Sequence, residues 1–476
     1  MKHNTFVLAA SLSALVSCTG VAPEPFGTVP ADFQVEWQKM ETNMFLHFGP
    51  NTFTSAEWGT GEESEDTFNP TELDCSQWVA VAKAAGFKGM IITAKHHDGF
   101  CLWPNPESTH TVAQSNWRDG KGDVLRELSS ACADQGMKFG VYISPWDRND
   151  PRYGTDEYNG VFRRALESVL GGTYGQIFEQ WFDGACGEGP NGKVQVYDWS
   201  LFHGTVRELQ PQAVMFSDAG PGCRWVGNER GYAPETCWST IDTTGLAPGK
   251  VPDISVLGTG LKGGSCWIPA ECDVSIRPGW FWKESENSSV KTINQLLSIY
   301  YTSVGSNSLM LLNVPPDTRG RIHEIDSVRL MEFRAALDEI FSEDLASGAK
   351  ACSSDDRGRG FRAENVLDGN YDSYWACPDG VTEASLTLEL DGARTFNRVQ
   401  VQEYIPLGQR VESFSVEARM ADGSWQKVAD GTTIGYKRIL LTEKVTAEAL
   451  RINFSAAACP VINSVSLYLD NIFDQQ

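Results

Sequence analysis

Asp74-Cys-Ser-Gln-Trp-Val-Ala-Val-Ala-Lys-Ala-Ala-Gly86-Phe-Lys-Gly89-Met-Ile-Ile-Thr-Ala94-Lys-His-His-Asp98 decides how most of this chain is read. Asp74 can cap a helix, Trp78, Val79, Val81 and Ala82 give that helix an apolar face, and Gly86 ends it. Residues 89–94 then form a short, continuous apolar run, the pattern of a strand covered on both faces. Polar residues crowd in directly behind it: Lys95, His96, His97 and Asp98.

The same unit recurs on either side. Apolar runs lie at 44–48, 139–143, 177–182, 214–217, 274–276 and 309–314. Helical patterns cover 123–135, stopped by Gly136, 158–170, stopped by Gly171-Gly172, and 322–341. Repeated strand–helix units predict a parallel sheet with helical crossovers, an α/β class. Seven or eight such units fit a (β/α)8-like barrel over residues 31–345, with the weakest strand signals between 236 and 276. After Leu345 the pattern changes to short alternating runs, at 385–390, 398–402, 414–418, 439–441 and 450–454. These predict an all-β sandwich over residues 346–476.

The N-terminus reads as a processing signal. Lys2 precedes an apolar stretch, 6–16, that is too short to span a bilayer. It closes on Leu15-Val16-Ser17-Cys18, which resembles a bacterial lipobox. The expectation is a lipoprotein signal peptide over 1–17, a lipid on Cys18, and a Pro-rich tether over 18–30. That makes the chain an exported bacterial lipoprotein, periplasmic or cell-surface, touching membrane only through its anchor. The formal charge of −23 over 476 residues excludes nucleic acid, a polyanion that needs a basic footprint. Of 12 Cys no two form a Cys-x-x-Cys pair, which argues against structural zinc, while Cys266 and Cys272 are close enough to bridge a loop.

Barrel enzymes place their chemistry at the C-terminal ends of the strands. Here those ends carry His47, Glu57 and Trp58; His96 and His97; Tyr142, Ser144, Trp146 and Asp147; and Trp181 with Asp183. A zinc site built on His47, His96 and His97 is disfavoured, because adjacent residues on a strand end point in opposite directions. There is no Gly-x-Gly-x-x-Gly after a strand, no Walker loop and no Gly-x-Ser-x-Gly elbow. Glycoside hydrolysis needs two carboxyl groups, an aromatic wall and hydroxyl partners, and the 15 Trp suit it.

Met44-Phe-Leu-His-Phe-Gly49, Ala94-Lys-His-His-Asp-Gly-Phe-Cys-Leu-Trp103, Phe139-Gly-Val-Tyr-Ile-Ser144, Trp181-Phe-Asp-Gly184 and Leu311-Leu-Asn-Val-Pro-Pro-Asp317 together resemble the motif series of glycoside hydrolase family 29, the α-L-fucosidases. The resemblance implies a retaining exo-α-L-fucosidase working by double displacement without a cofactor or catalytic metal. It makes Asp183 the nucleophile and His47, Glu57, Trp58, His96, His97, Tyr142 and Trp181 the fucose-holding set. An aromatic of Pro278-Gly-Trp-Phe-Trp282, with Trp282 favoured, should pack on the sugar methyl. Gly227-Asn228-Glu229 matches the branch selective for α-1,3/1,4-fucosylated, Lewis-type glycans and makes Glu229 the acid/base, with Glu271 and Glu235 as competitors. The alternatives are a broad-specificity α-L-fucosidase that also cuts α-1,2 or α-1,6 links, and a non-catalytic glycan-binding lipoprotein. Ala363-Glu-Asn-Val-Leu-Asp-Gly-Asn370 with Tyr374-Trp375 resembles a discoidin-like, coagulation-factor type C domain. That likeness allows glycan binding and a structural calcium, with Asp368 as a candidate ligand.

Overall fold

The computed structural model describes residues 20–473. The signal-peptide stretch and Cys18 lie outside these residues. Asp74 does cap the helix read from the opening stretch: its Oδ1 accepts the Gln77 N–H at 2.9 Å, and the helix runs Cys75–Ala84. The strand that follows, Gly89–Lys95, is buried along its whole length.

Eight parallel strands close into a barrel: β1 Thr42–Leu46, β2 Gly89–Lys95, β3 Lys138–Ile143, β4 Ile177–Trp181, β5 Val214–Ser217, β6 Cys223–Trp225, β7 Ala270–Ser275 and β8 Ser308–Asn313. β8 returns to pair with β1, Asn43 opposite Leu311. The outer helices with clear sequence patterns, Val124–Gln135, Tyr158–Leu170 and Glu324–Ile340, cover the wall with Leu125, Leu128, Phe162, Leu166, Leu330 and Phe333.

The sixth unit departs from the repeat. β6 has only 3 residues, and the crossover to β7 holds a two-stranded ribbon (Thr240–Ile241 with Cys266–Trp267) and a short helix, Ser255–Thr259. Arg224 of β6 organises it. Its guanidinium, fully buried, donates to Leu257 O at 2.7 Å, Trp238 O at 2.8 Å and Ile268 O. A buried cation satisfied by three carbonyls gives no apolar run, which is why this segment is faint in sequence.

Residues 350–468 form one antiparallel sheet of seven strands, the longest being Glu383–Glu403 and Arg438–Ala456. In Glu383–Glu403 the buried apolar positions are even as far as Phe396 (Leu386, Leu388, Leu390) and odd beyond it (Val399, Val401), across register shifts between 389 and 398. An extra residue in a strand flips its faces, so both halves of the strand feed a single core. Residues 20–28 are docked rather than free: Gly20 N–H donates to Arg359 O at 2.8 Å, Phe26 N–H to Leu407 O at 3.0 Å, and Thr28 Oγ1 to Gly264 O at 2.6 Å.

The described cysteines are all free thiols, Cys266 and Cys272 included. Cys272 points into the wall beside Ser308 Oγ, at 3.2 Å, while Cys266 lies on the ribbon. The Asp368 carboxylate accepts from the Asn370 N–H at 2.8 Å and from the Ser373 hydroxyl, both in its own turn. Among the described residues no helix is long and apolar enough to cross a membrane.

Candidate active site

The strand ends converge on a cavity of about 180 Å³ lined by His47, His96, His97, Tyr142, Trp181, Asp183, Glu229 and Trp58, together with Phe45, Ala185, Asp273 and Trp280. A larger cavity, about 490 Å³, lies at the opposite, N-terminal end of the strands beside Trp37, Phe139 and Val214. The rim cavity is the one with facing carboxylates.

Asp183 follows β4 directly. Its Oδ2 accepts from Tyr142 OH at 3.0 Å and its Oδ1 from the Ala185 N–H at 2.7 Å. His97 Nε2 is 3.6 Å from Oδ2. Enclosure raises the Asp183 carboxyl above its ordinary value, and the Ala185 and Tyr142 donors pull it back. One face stays open to the cavity, the side chain being 26% exposed.

His96 and His97 both face this cavity, against the expectation that neighbours on a strand end diverge. The physical reason is that β2 ends at Lys95, so the pair sits in a turn where strand alternation no longer holds. Their rings are 4.2 Å apart. His97 Nδ1 meets Ser144 Oγ at 2.8 Å, and His47 Nδ1 meets Asn313 Oδ1 at 2.9 Å. Burial drives His47 and His97 down to about 3 and His96 well below its ordinary value. All three are therefore neutral at ordinary pH, able to donate to or accept from hydroxyls.

Glu229 sits on the loop after β6, on the far wall. Its Oε2 accepts from Trp280 Nε1 at 3.4 Å. Partial burial raises its carboxyl, with Asp183 and Glu57 adding and the Trp280 bond opposing. Its two competitors lie elsewhere. Glu271 is fully buried one layer below the cavity, where Oε1 accepts from Trp181 Nε1 at 2.9 Å. It pairs with Glu179, and burial raises both carboxyls. Glu235 faces the C-terminal domain, 3.7 Å from Arg438.

Two expected binding residues stand outside the lining. Trp282 is turned away: its ring stacks on His323 at 5.8 Å and beside the Arg277 guanidinium. Phe281 is fully buried against His47 and His96, and the chain turns there, so Trp280 faces the cavity instead. The Arg277–Asp326 pair, both side chains 0% exposed, fixes this turn. Glu57 does not line the cavity either. It binds the Trp280 N–H at 2.8 Å and Lys283 Nζ, and a Cβ on Gly279 would come within 2.4 Å of its carboxylate. Its visible task is to hold the Trp280 loop. Trp280→Ala should raise KM for a fucoside roughly tenfold, the scale of one lost apolar wall, while Trp282→Phe should leave KM unchanged; steady-state kinetics of the two variants check this.

Sequence reasoning missed Asp273 and Asn313. Asp273 lines the cavity and accepts from Trp225 Nε1 at 2.8 Å; burial first, then the nearby Glu229 charge, push its carboxyl well up. Alternation along β7 was the available signal, since Glu271 and Asp273 share a face and Asp273 stands nearer the rim. Asn313 ties His47 to the Trp280 loop through Trp280 O, at 2.8 Å.

A (β/α)8 barrel whose rim holds two facing carboxylates, neutral histidines and indole walls defines a glycoside hydrolase. The family model for alpha-L-fucosidase matches residues 25–338 and that for the F5/8 type C domain residues 349–465. The chain belongs to the α-L-fucosidase family, glycoside hydrolase family 29, with an F5/8 type C domain behind the barrel. It is 46% identical to alpha-L-fucosidase 1 of Arabidopsis thaliana over 94% of this chain and 89% of that protein. A GH29 fucosidase of Ruminococcus gnavus solved in complex with fucose superposes with a TM-score of 0.87 at 33% identity, covering 95% of this chain and 97% of that one. The crystal structure of SpGH29 gives 0.89 at 37% identity, covering 94% and 100%.

Proposed function

We propose that the chain is a retaining exo-α-L-fucosidase that releases terminal L-fucose from α-1,3/1,4-fucosylated, Lewis-type glycans, with Asp183 as nucleophile and Glu229 as acid/base. The observation that carries the chemistry is that these two carboxyl groups, and no other pair of Asp and Glu from the sequence candidates, line one sugar-sized cavity. At about 180 Å³ it is smaller than a drug-sized pocket of ~300–1,000 Å³, which suits one sugar ring and hence attack on a chain end.

Asp183, ionised, attacks the anomeric carbon while Glu229, protonated, donates to the departing oxygen. In the second step Glu229 takes a proton from water, which displaces Asp183 and gives fucose of retained configuration. His47, His96 and His97 serve ring hydroxyls as neutral partners. Trp58, Trp181, Phe45 and Trp280 supply the apolar wall that suits the sugar's methyl group; an added hydroxyl there would be buried without a partner. A second cavity of about 200 Å³ shares Asp183, Glu229 and Asp273 and opens outward past Asp218 and Trp225, a place for the rest of the glycan. Support for the linkage is the Gly227-Asn228-Glu229 run. A panel of Lewis trisaccharides, 2′-fucosyllactose, an α-1,6-fucoside and an aryl fucoside tests it. Cleavage of the Lewis substrates alone among the oligosaccharides is expected; comparable rates on α-1,2 or α-1,6 links would establish the broad reading instead.

The Lys2 and Leu15–Cys18 pattern supports an exported bacterial lipoprotein held at the membrane by Cys18. Expressed in a bacterium, the chain should partition with membranes, and Cys18→Ser should release it to the soluble fraction. Equal partitioning of both forms would remove the anchor from this reading.

A further inference from the structure

Glu229 is only partly covered, and among the described residues its one side-chain bond is the 3.4 Å contact from Trp280. Its place over the cavity is therefore set by the backbone of its loop. One stem belongs to the barrel, where the Val226 N–H donates to Glu271 O at 3.0 Å. The other stem is held first by the barrel, where the Ala233 N–H donates to Thr302 O at 2.8 Å, and then, over 235–239, lies against the C-terminal domain. There the Cys237 N–H donates to Thr433 Oγ1 at 2.8 Å and the Ser239 N–H to Gln409 Oε1 at 2.8 Å. Gln409 Nε2 donates back to Cys237 O at 3.1 Å, and Arg438 donates to Glu235 O at 2.9 Å.

These bonds are dry. Thr433 is 1% exposed, Gln409 6% and Cys237 1%. Removing an acceptor there orphans a buried backbone N–H, so the stem must move to find water. The barrel's Asn307 locks the same junction: its Nδ2 donates to Cys237 O at 2.8 Å and its Oδ1 accepts the Tyr436 N–H at 2.8 Å. A Cβ on Gly435 would fall 2.2 Å from that Asn307 side chain, so glycine at 435 is what lets the Asn307 amide lie against this backbone.

We propose that the C-terminal domain is a positioning element for catalysis: Thr433, Gln409 and Arg438 clamp the stem of the loop that carries Glu229. None of the three lines the sugar cavity. The proposal rests on Glu229 being the acid/base. It assigns the domain a task in the reaction itself, separate from any glycan it binds.

Leaving-group dependence separates this from ordinary stabilisation. A displaced acid hurts poor leaving groups and spares good ones, whereas a smaller folded fraction lowers every rate alike. The test compares kcat/KM for aryl fucosides of graded leaving-group acidity and for the best oligosaccharide substrate, in Thr433→Val/Gln409→Met, Thr433→Ser and Glu229→Gln. For the double variant we expect a loss of roughly 10- to 100-fold on the oligosaccharide, the scale of an ångström misplacement, and less than about threefold on the most activated aryl fucoside. Thr433→Ser keeps the hydroxyl and should follow the parent. Uniform losses, or none, in the double variant beside a steep dependence in Glu229→Gln would overturn the clamp alone. A flat dependence in Glu229→Gln would overturn the acid/base reading and the clamp with it. The single Thr433→Val is read the same way and serves if the double variant does not fold.

Discussion

Asp183→Ala is expected to abolish turnover while the protein still binds fucose. A hydrolase that loses its covalent nucleophile falls by on the order of 10⁴- to 10⁶-fold in kcat. Binding should change by less than about tenfold, because only one hydrogen-bond partner, that of Tyr142, is lost from the sugar side of the cavity. The other walls do not depend on it: His47 is held by Asn313, Trp181 by Glu271 and by stacking on Phe216 at 3.8 Å. Turnover on an aryl fucoside and calorimetry with free fucose read the two halves of this expectation. With azide, the variant should form a fucosyl azide of inverted configuration, because azide then attacks the substrate directly. A kcat within about tenfold of the parent would move the nucleophile elsewhere, with Asp273 the next carboxylate on the cavity wall.

The second large effect belongs to Glu229→Ala. On natural glycans general acid catalysis is worth ~10²- to 10⁴-fold, and that is the expected loss; substrates with very good leaving groups should be affected far less. Azide should rescue this variant with retained configuration, since it attacks the fucosyl-enzyme. An inverted product would contradict the role. The pH profile gives an independent reading. Activity is lost on the acid side as Asp183 gains its proton and on the alkaline side as Glu229 gives its proton up. Both groups are raised, so both limbs of kcat/KM should lie above the ordinary values of ~3.9 for Asp and ~4.3 for Glu. Glu229→Gln should keep the acid limb and lose the alkaline one. His47 and His97, already neutral above about 3, should contribute no limb near the ordinary histidine value.

The clamp changes how the two domains relate. The resemblance of the C-terminal domain to sugar-binding modules suggests an accessory role, yet several of its buried polar contacts with the barrel meet the stem of the loop that carries Glu229. Stability and chemistry are then linked through the same few residues.

Much of this was legible in the chain itself. Continuous apolar runs ending in His47, His96-His97, Tyr142 and Asp183 identify the barrel and its working rim, because a parallel strand is buried on both faces and its polar residues can only gather at the ends. The N-cap at Asp74 and the stop at Gly86 are local chemistry and read directly. What the tertiary structure alone decided depends on contacts far apart in sequence. Trp280 and not Trp282 faces the cavity, because the buried Arg277–Asp326 pair and the Glu57 bond to the Trp280 N–H set the turn. Glu271 lies a layer too deep to reach substrate, under Trp181, while Glu235 is drawn off to Arg438. His96 and His97 face the same way because their strand has already ended. And Glu229, on a loop with no periodic pattern, is held in place by residues such as Thr433 and Gln409, about two hundred positions away, because two buried N–H groups need acceptors that only the folded C-terminal domain supplies.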